Sequence, residues 1–260
     1  MRSRLFVLAM FLASAVIPCS AADWQKTFTV TGRPMVRVET NDANVRVSGS
    51  DSHDVQVRVA ATGYTADHVR ISGRQNGDRV EIEVHVQHRV LIGFSRSVKI
   101  ELSVPRESDL DIHSGDGRLE VLDVKGNTRL DTHDGQIRVS GAEGSLNASS
   151  GDGSIEAASR FDALDVQTTD GRLRVSAQSG SRISGSGWNL STHDGRVDVL
   201  VPEKLAADLD AETRDGHVTV DIPVEVAGQF GASRVRGKLN GGGPTLRIRT
   251  GDGSIHVGRS

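Results

Sequence analysis

The sequence predicts an all-β chain, a single-chain β-helix or β-solenoid with rungs of about 18 residues. Three observations carry this. Asp-Gly recurs at Asp116, Asp134, Asp152, Asp170, Asp194, Asp215 and Asp252, at intervals of 18, 18, 18, 24, 21 and 37 residues. Each copy fits φ-x-[ST]-x-D-G-x-φ-x-φ, where φ is aliphatic, so the flanks repeat as well as the dipeptide. A half-period also shows: Gly117, Gly126, Gly135, Gly144, Gly153, Gly171 and Gly180 fall on a nine-residue grid whose one gap is filled by Asp162. Each unit therefore reads as two strands of about five residues and two tight turns.

Residues 1–22 read as an export signal. Arg2 and Arg4 precede the apolar run from Leu5 to Val16, and Ser20-Ala21-Ala22 supplies the small residues of a cleavage site after Ala22. The same pattern admits an N-terminal helix. A lipoprotein reading through Cys19 is disfavoured by Pro18. Cleavage removes the only cysteine, leaving no disulfide in the mature chain, and takes the formal charge from -3 to -5. An acidic export product lacks the electrostatic footprint of a nucleic-acid partner. No apolar run in the mature chain reaches the ~18 residues of a membrane-spanning helix.

Residues 23–260 read as one solenoid domain, with 23–104 less regular and suited to capping one end. Val36 and Val38, Val45 and Val47, Val55 to Val59, Val80 to Val86 and Val98 to Val104 alternate with polar residues, as half-buried strands do. Ala66 to Ile71 reads as a short helix or a loop. Thr40-Asn41-Asp42-Ala43-Asn44-Val45-Arg46-Val47 resembles a degenerate repeat. Val104-Pro105 and Val201-Pro202 each lead into an Asp-Gly copy, suggesting a larger duplicated unit.

Within the repeat, period 2 places the aliphatic and Ser/Thr positions on one face and the charged positions on the other. Asp-Gly is read as the turn, with glycine supplying a positive φ. One unit cannot bury its apolar face alone; stacking units about 4.8 Å apart makes a continuous core. Glu120, Arg138, Glu156, Arg174 and Asp198, each three residues after the glycine, alternate in sign and would face one another across neighbouring strands. The interval of 24 reflects a six-residue insertion around Ser181 to Trp188, and Gly241-Gly242-Gly243-Pro244 marks a loop before the last rung.

The strings SGDGRLEV, THDGQIRV, SGDGSIEA, TTDGRLRV, THDGRVDV, TRDGHVTV and TGDGSIHV resemble the repeats of the bacterial putative-adhesin family, as do the Val-Pro approach and the GGG-P loop. The resemblance covers roughly residues 31–257. It implies a right-handed β-helix on an exported or cell-envelope protein, and no catalytic residue.

Candidate chemistry is limited. The ladder Asp116, Asp134, Asp152, Asp170, Asp194, Asp215 and Asp252 is expected to set turns. Its alternative use, a calcium-stabilised roll, fits poorly because the aliphatic residue follows Asp by three positions instead of two. His133 and His193 occupy the same repeat position three rungs apart, roughly 14 Å by strand spacing, too far to share a metal. His85 and His88 match no zinc spacing. His133, His193 and Trp188 are the candidate surface contacts for a ligand. Trp188 closes the insertion, but it also falls six residues before Asp194, in the inward slot held elsewhere by Leu110, Leu146, Leu164 and Leu209. A polysaccharide-active β-helix enzyme is the alternative of a different class. It would need aromatic platforms and a carboxylate pair set off from the repeat; aromatics are 3% of the chain, and every Asp that could pair is explained by the repeat. The expected function is therefore non-catalytic, with no cofactor: an exported envelope protein, periplasmic or secreted, presenting a rigid repetitive surface to a glycan or protein. Because the last repeat ends three residues before Ser260, an open end is expected to invite self-association.

Overall fold

The computed structural model describes residues 23–87, 96–185 and 187–260. The export signal with Cys19, and also His88 and Phe94, lie outside the described residues. The N-terminal strands are β1 (Asp23–Thr29), β2 (Met35–Thr40), β3 (Asn44–Ser50), β4 (Asp54–Thr62), β5 (Val69–Asn76), β6 (Arg79–Val86) and β7 (Ser97–Pro105). The central ones are β8 (Asp109–Ser114), β9 (Leu119–Leu122), β10 (Lys125–Thr132), β11 (Ile137–Ser150), β12 (Ile155–Asp170), β13 (Leu173–Ala177), β14 (Trp188–Asp194) and β15 (Val197–Val201). They are followed by β16 (Ala207–Asp215), β17 (Val218–Val220), β18 (Glu225–Gly231), β19 (Arg234–Leu239), β20 (Thr245–Asp252) and β21 (Ile255–Arg259). The only helical turn among the described residues is a 3-10 turn at Ala66–His68. The fold is all-β, as expected, and the sheet is open.

The pairings follow two rows. Row one runs β5, β6, β2, β8, β10, β11, β12, β14, β20, β16, β19, β18. Row two runs β1, β4, β7, β3, β9, β11, β12, β13, β15, β21, β17. The long strands β11 and β12 serve both rows by turning the corner opposite Asp-Gly, with register shifts between Ser140 and Glu143 and between Gly144 and Ser145. Between the antiparallel strands at the two ends, all pairs are parallel, and like repeat positions meet: Leu119, Ile137, Ile155, Leu173, Val197 and Ile255 form one unbroken row.

The alternating burial follows from the sequence alternation. Those six side chains and Ile112, Leu130, Ala148, Val166, Leu190 and Ile248 are at most 1% exposed, and both rows feed a single hydrophobic cluster. Each fully buried Val, Leu or Ile side chain contributes about 1.5–3 kcal/mol relative to its exposed state. The stack is thus held by many equivalent contributions from one repeated position.

Rung order in space departs from rung order in sequence. The first copy, β2 with β3, lies between β6/β7 and β8/β9: Val36 pairs with Val80 and Leu110, and Val45 with Ile100 and Leu119. The last copy, β20 with β21, lies between β14/β15 and β16/β17: Ile248 pairs with Leu190 and Ala211, and Ile255 with Val197 and Val218. This corrects the expectation of an open end at the last repeat. Ser260 lies beside an interior rung, its N–H bonded to the Val201 carbonyl at 3.0 Å, and the edges are formed instead by the antiparallel strands β5, β1 and β18 and by β17, which pairs parallel with β21. At one end Trp24 and Phe28 of β1 lie against Gly73 of β5, and Lys26 donates to the Gly73 carbonyl at 3.0 Å. At the other, the β18–β19 hairpin folds onto β17, where the Val218 N–H donates to the Ala232 carbonyl at 2.8 Å.

Both intercalated rungs pair with a strand that runs into Val-Pro, β3 with β7, which ends at Pro105, and β21 with β15, which ends at Val201 just before Pro202. Each proline then starts a tight turn. The Pro105 carbonyl accepts the Ser108 hydroxyl at 2.5 Å, and the Pro202 carbonyl accepts the Leu205 N–H at 3.0 Å. The loop into the last rung needs left-handed backbone at Asn240, Gly241 and Gly242 (φ 50°, 83° and 85°), which explains its glycines.

Candidate functional site

The Asp-Gly corner joins row one to row two in every regular rung. Its glycines are required by proximity. A Cβ on Gly135 would stand 1.9 Å from the Gly117 carbonyl oxygen, and one on Gly153 1.8 Å from that of Gly135; the series continues through Gly171, Gly195, Gly253 and Gly216 at 1.9–2.3 Å. Positive φ is not the reason: of these corner glycines only Gly253 has one. The expectation that glycine serves the turn through positive φ is corrected accordingly. Ala43 holds the same position in the first copy. Gly117 stacks on its carbonyl.

The hydroxyl two residues before each Asp clasps the next rung. Ser114, Thr132, Ser150, Thr168, Thr192, Thr213 and Thr250 are 3–7% exposed. Thr132 donates to the Gly115 carbonyl at 3.0 Å, Thr168 to those of Gly151 and Gly153 at 2.9 and 3.0 Å, Thr213 to Gly253 at 2.8 Å and Thr250 to Gly195 at 3.0 Å. A buried hydroxyl requires such partners. Thr40 occupies this position in the first copy, and its hydroxyl, also out of contact with water, has no partner among the described residues.

The seven predicted aspartates line up on the outside of the corner, all exposed, in the spatial order 116, 134, 152, 170, 194, 252, 215. Their backbone N–H groups join the rung-to-rung bonding: Asp116 donates to the Asn41 carbonyl at 3.1 Å and Asp170 to that of Gly151 at 3.1 Å. Among the described residues no group of three or more His, Cys, Asp or Glu side chains is arranged to hold a metal ion. His133 and His193 are exposed on the same ridge, and the His133 ring lies 3.8 Å from Asp134.

Trp188 is not a surface contact. It is 0% exposed, in register with Leu164 and Leu246, and meets the Phe161 ring edge-on with centroids 6.3 Å apart. The insertion before it supplies Ile183, also buried, so the extra residues close over the core. Trp188 is corrected to a core residue.

Three grooves run over the outside. One of 670 Å³ lies on the row-two side of the corner, between Asp116, Asp134, Arg118, Arg46, Glu101 and Glu120. One of 520 Å³ lies on the row-one side, where Glu39 stands opposite Glu83 beside His85 and His113. A third, of 590 Å³, follows the opposite corner past Arg33, Lys125, Glu143, Arg160 and Asp162. There the hydrogen bond from Lys125 is the main force that holds Glu143 below the usual carboxylate range. Partial burial opposes it, and Arg160 adds to it.

The outer charge ladder is longer than its five predicted members. The register runs Arg58, Glu101, Arg46, Glu120, Arg138, Glu156, Arg174, Asp198, His256 across nine strands of row two. Arg46 reaches Glu120 at 3.0 Å, and Arg138 reaches Glu156 at 3.2 Å. The sequence pattern missed Arg58, Glu101 and Arg46 because their strands lack a full Asp-Gly copy.

These features define an all-β, solenoid-like scaffold with its repeated inward positions committed to packing. The chain belongs to the Toastrack DUF4097 family, whose model matches residues 35–258. Among solved structures it is similar to a putative adhesin from Bacteroides fragilis NCTC 9343, with 12% identity over 91% of this chain and 97% of that one, at a TM-score of 0.50. It is also similar to a putative lipid binding protein from Parabacteroides distasonis ATCC 8503 (14% identity, 90% and 96% covered, TM-score 0.46). A putative adhesin from Parabacteroides merdae ATCC 43184 aligns over 90% of this chain and 95% of its own at 12% identity and a TM-score of 0.39. No curated protein matches. The expected relation to the putative-adhesin family therefore holds.

Proposed function

We propose that this chain is an exported, non-catalytic display protein of the cell envelope. Once the leader is removed, residues 23–260 coil right-handedly into one stiff body that offers its outer faces to a repetitive partner, a glycan or a protein. The Asp ladder belongs to the corners of that body and needs no bound cation. The carrying observation is how the repeat is used: inward positions build the core, hydroxyls and glycines clasp the corners, and the outward positions form ladders that continue from strand to strand. The adhesin description of the Bacteroides fragilis relative agrees with this reading.

The test is capture by the immobilised mature chain from envelope fractions of its own host. The reading expects a polysaccharide or protein retained by the wild type and released when outward residues of consecutive rungs are exchanged together. Capture of nothing above a β-solenoid of unrelated surface overturns it. Hydrolysis or eliminative cleavage of an envelope polysaccharide, abolished by replacing one Asp alone, overturns its non-catalytic part.

A further inference from the structure

The two outer faces differ in their middle rungs. Row two keeps alternating charges along one of its two outward columns, from Arg58 to Asp198, its other column being neutral (Ser48, Leu122, Ser140, Ala158, Ser176, Leu200), whereas row one loses them in both. From β8 to β20 one row-one column reads Asp111, Arg129, Asn147, Asp165, Asn189, Arg247, and the column beside it reads His113, Asp131, Ser149, Gln167, Ser191, Arg249. Over three consecutive rungs the outward residues are therefore Asn147 with Ser149, Asp165 with Gln167, and Asn189 with Ser191.

These residues have hydrogen-bonding groups to offer. Asp165 and Gln167 are exposed, and the other four are half-buried by their neighbours. Asn147 makes a long contact of 3.5 Å to Asp165. Ser149, Gln167, Asn189 and Ser191 make no side-chain hydrogen bond among the described residues. Parallel register holds the three rungs level, so equivalent groups recur at the strand spacing of about 4.8 Å. If outward residues served only to pair across strands, charged partners would be expected in at least one column here, as in one column of row two. Instead there is a flat field of amides and hydroxyls around one carboxylate, which can accept two hydroxyl protons at once.

We propose that this field binds an extended, neutral, hydroxyl-rich polysaccharide running across the strands along the stack. This deepens the display reading, on which it rests, by naming the face and the partner. The chemistry fits. A β-1,4-linked hexose chain presents hydroxyls at nearly the interval of the rungs, amides donate to and accept from them, and Asp165 repels a polyanion. With no aromatic residue in the field, affinity per sugar is low and builds with polymer length.

Affinity electrophoresis of the mature chain through gels containing hydroxyethyl cellulose, and separately polygalacturonate, tests it. Retardation is expected in the neutral gel, weakened at least tenfold in N147A/N189A and in Q167K, and unchanged in the row-two variant R138Q. Circular dichroism and a melting curve first establish that each variant folds. No retardation in the neutral gel, retardation only by polygalacturonate, or wild-type retardation of both field variants overturns the proposal. The display reading fails separately, when the wild-type chain captures nothing from its envelope; field variants that still capture the envelope partner sink this inference alone.

Discussion

The carbonyl oxygen of Gly135 lies under Gly153 so closely that a Cβ there would be 1.8 Å from it. No rotamer change relieves that contact, because both atoms involved are fixed to the backbone. Replacing Gly153 by Ala must push two rungs apart at their tightest corner. The expected cost is about 3 kcal/mol, at the upper end of overpacking effects. Ala43→Gly, at the equivalent corner where alanine already fits, should stay within about 1 kcal/mol of the wild type. Urea unfolding of the two variants separates the cases; equal losses would show that proximity is not what selects glycine.

The hydroxyl clasp makes a paired prediction. Thr168 donates to two carbonyls of the neighbouring corner, so Thr168→Val leaves buried acceptors short of a donor and should cost about 1–3 kcal/mol. Thr40→Val removes a hydroxyl with no partner among the described residues and should be neutral or slightly stabilising. Melting temperatures check both, and a loss at Thr40 as large as at Thr168 would refute the clasp.

Much of this was legible because one position in the repeat has one physical task. Leu119 to Ile255 had to share a face, and the signs at Glu120, Arg138 and Glu156 had to alternate, whatever the details of the coil. The order of the rungs was hidden for the same reason. Val45 and Ile255 satisfy the same pattern as Ile155, so periodicity says which residues meet a neighbour and not which neighbour they meet. The β18–β19 hairpin escaped notice because Gly237 takes an inward slot where an aliphatic residue would have marked a strand; Val224 fills that space instead. The reason for the corner glycines was also out of reach, since Asp-Gly reads equally as a positive-φ turn. Of the surface, the charge ladder was partly visible, whereas the grooves depend on which rungs are adjacent.

Reversing one charge in the row-two ladder should destabilise in a salt-dependent way. Arg138 stands between Glu120 and Glu156. Arg138→Glu turns two favourable neighbours into repulsive ones, each worth up to about 1 kcal/mol at these partly exposed sites. A loss of about 1–2 kcal/mol is expected at low salt, shrinking towards zero near 1 M salt, where the screening length falls to about 3 Å. A loss that ignores salt would point to packing by the arginine stem.

Asp210 should confer acid sensitivity. Partial burial pushes its carboxyl up, but hydrogen bonds from Arg249 (2.7 Å) and Arg236 (3.1 Å), together with their charge, outweigh this and hold it below its ordinary value of 3.8. A carboxyl depressed in the fold stabilises fully above its unfolded value, and that contribution disappears as the pH falls from there through the lower folded value. The melting temperature of the wild type should therefore drop towards that of Asp210→Asn as the pH goes from about 6 to well below 3.8. A constant gap between them across this range would contradict the assignment.

The intercalated rungs make the sharpest prediction. Had the last copy stood at the end of the stack, removing residues 241–260 would trim one rung and leave the others in contact. In the observed order β20 and β21 separate β14/β15 from β16/β17, and Ile248 and Ile255 contact the core on both sides. Truncation after Asn240 should strip the inward faces of Leu190, Val197 and Ala211 of their neighbour on one side at once. It should also detach β16 to β19, which reach the rest of the stack through those two strands. The remaining rungs could close only by drawing β16 across the gap, where Leu209 would take the place of Leu246 against Trp188. Hydrogen exchange on the truncated chain should accordingly show lost protection throughout residues 207–239, with β8 to β13 still protected. Protection of 207–239 at wild-type level would mean that neighbouring rungs can be exchanged freely, and the order found here would then not be what holds that end together.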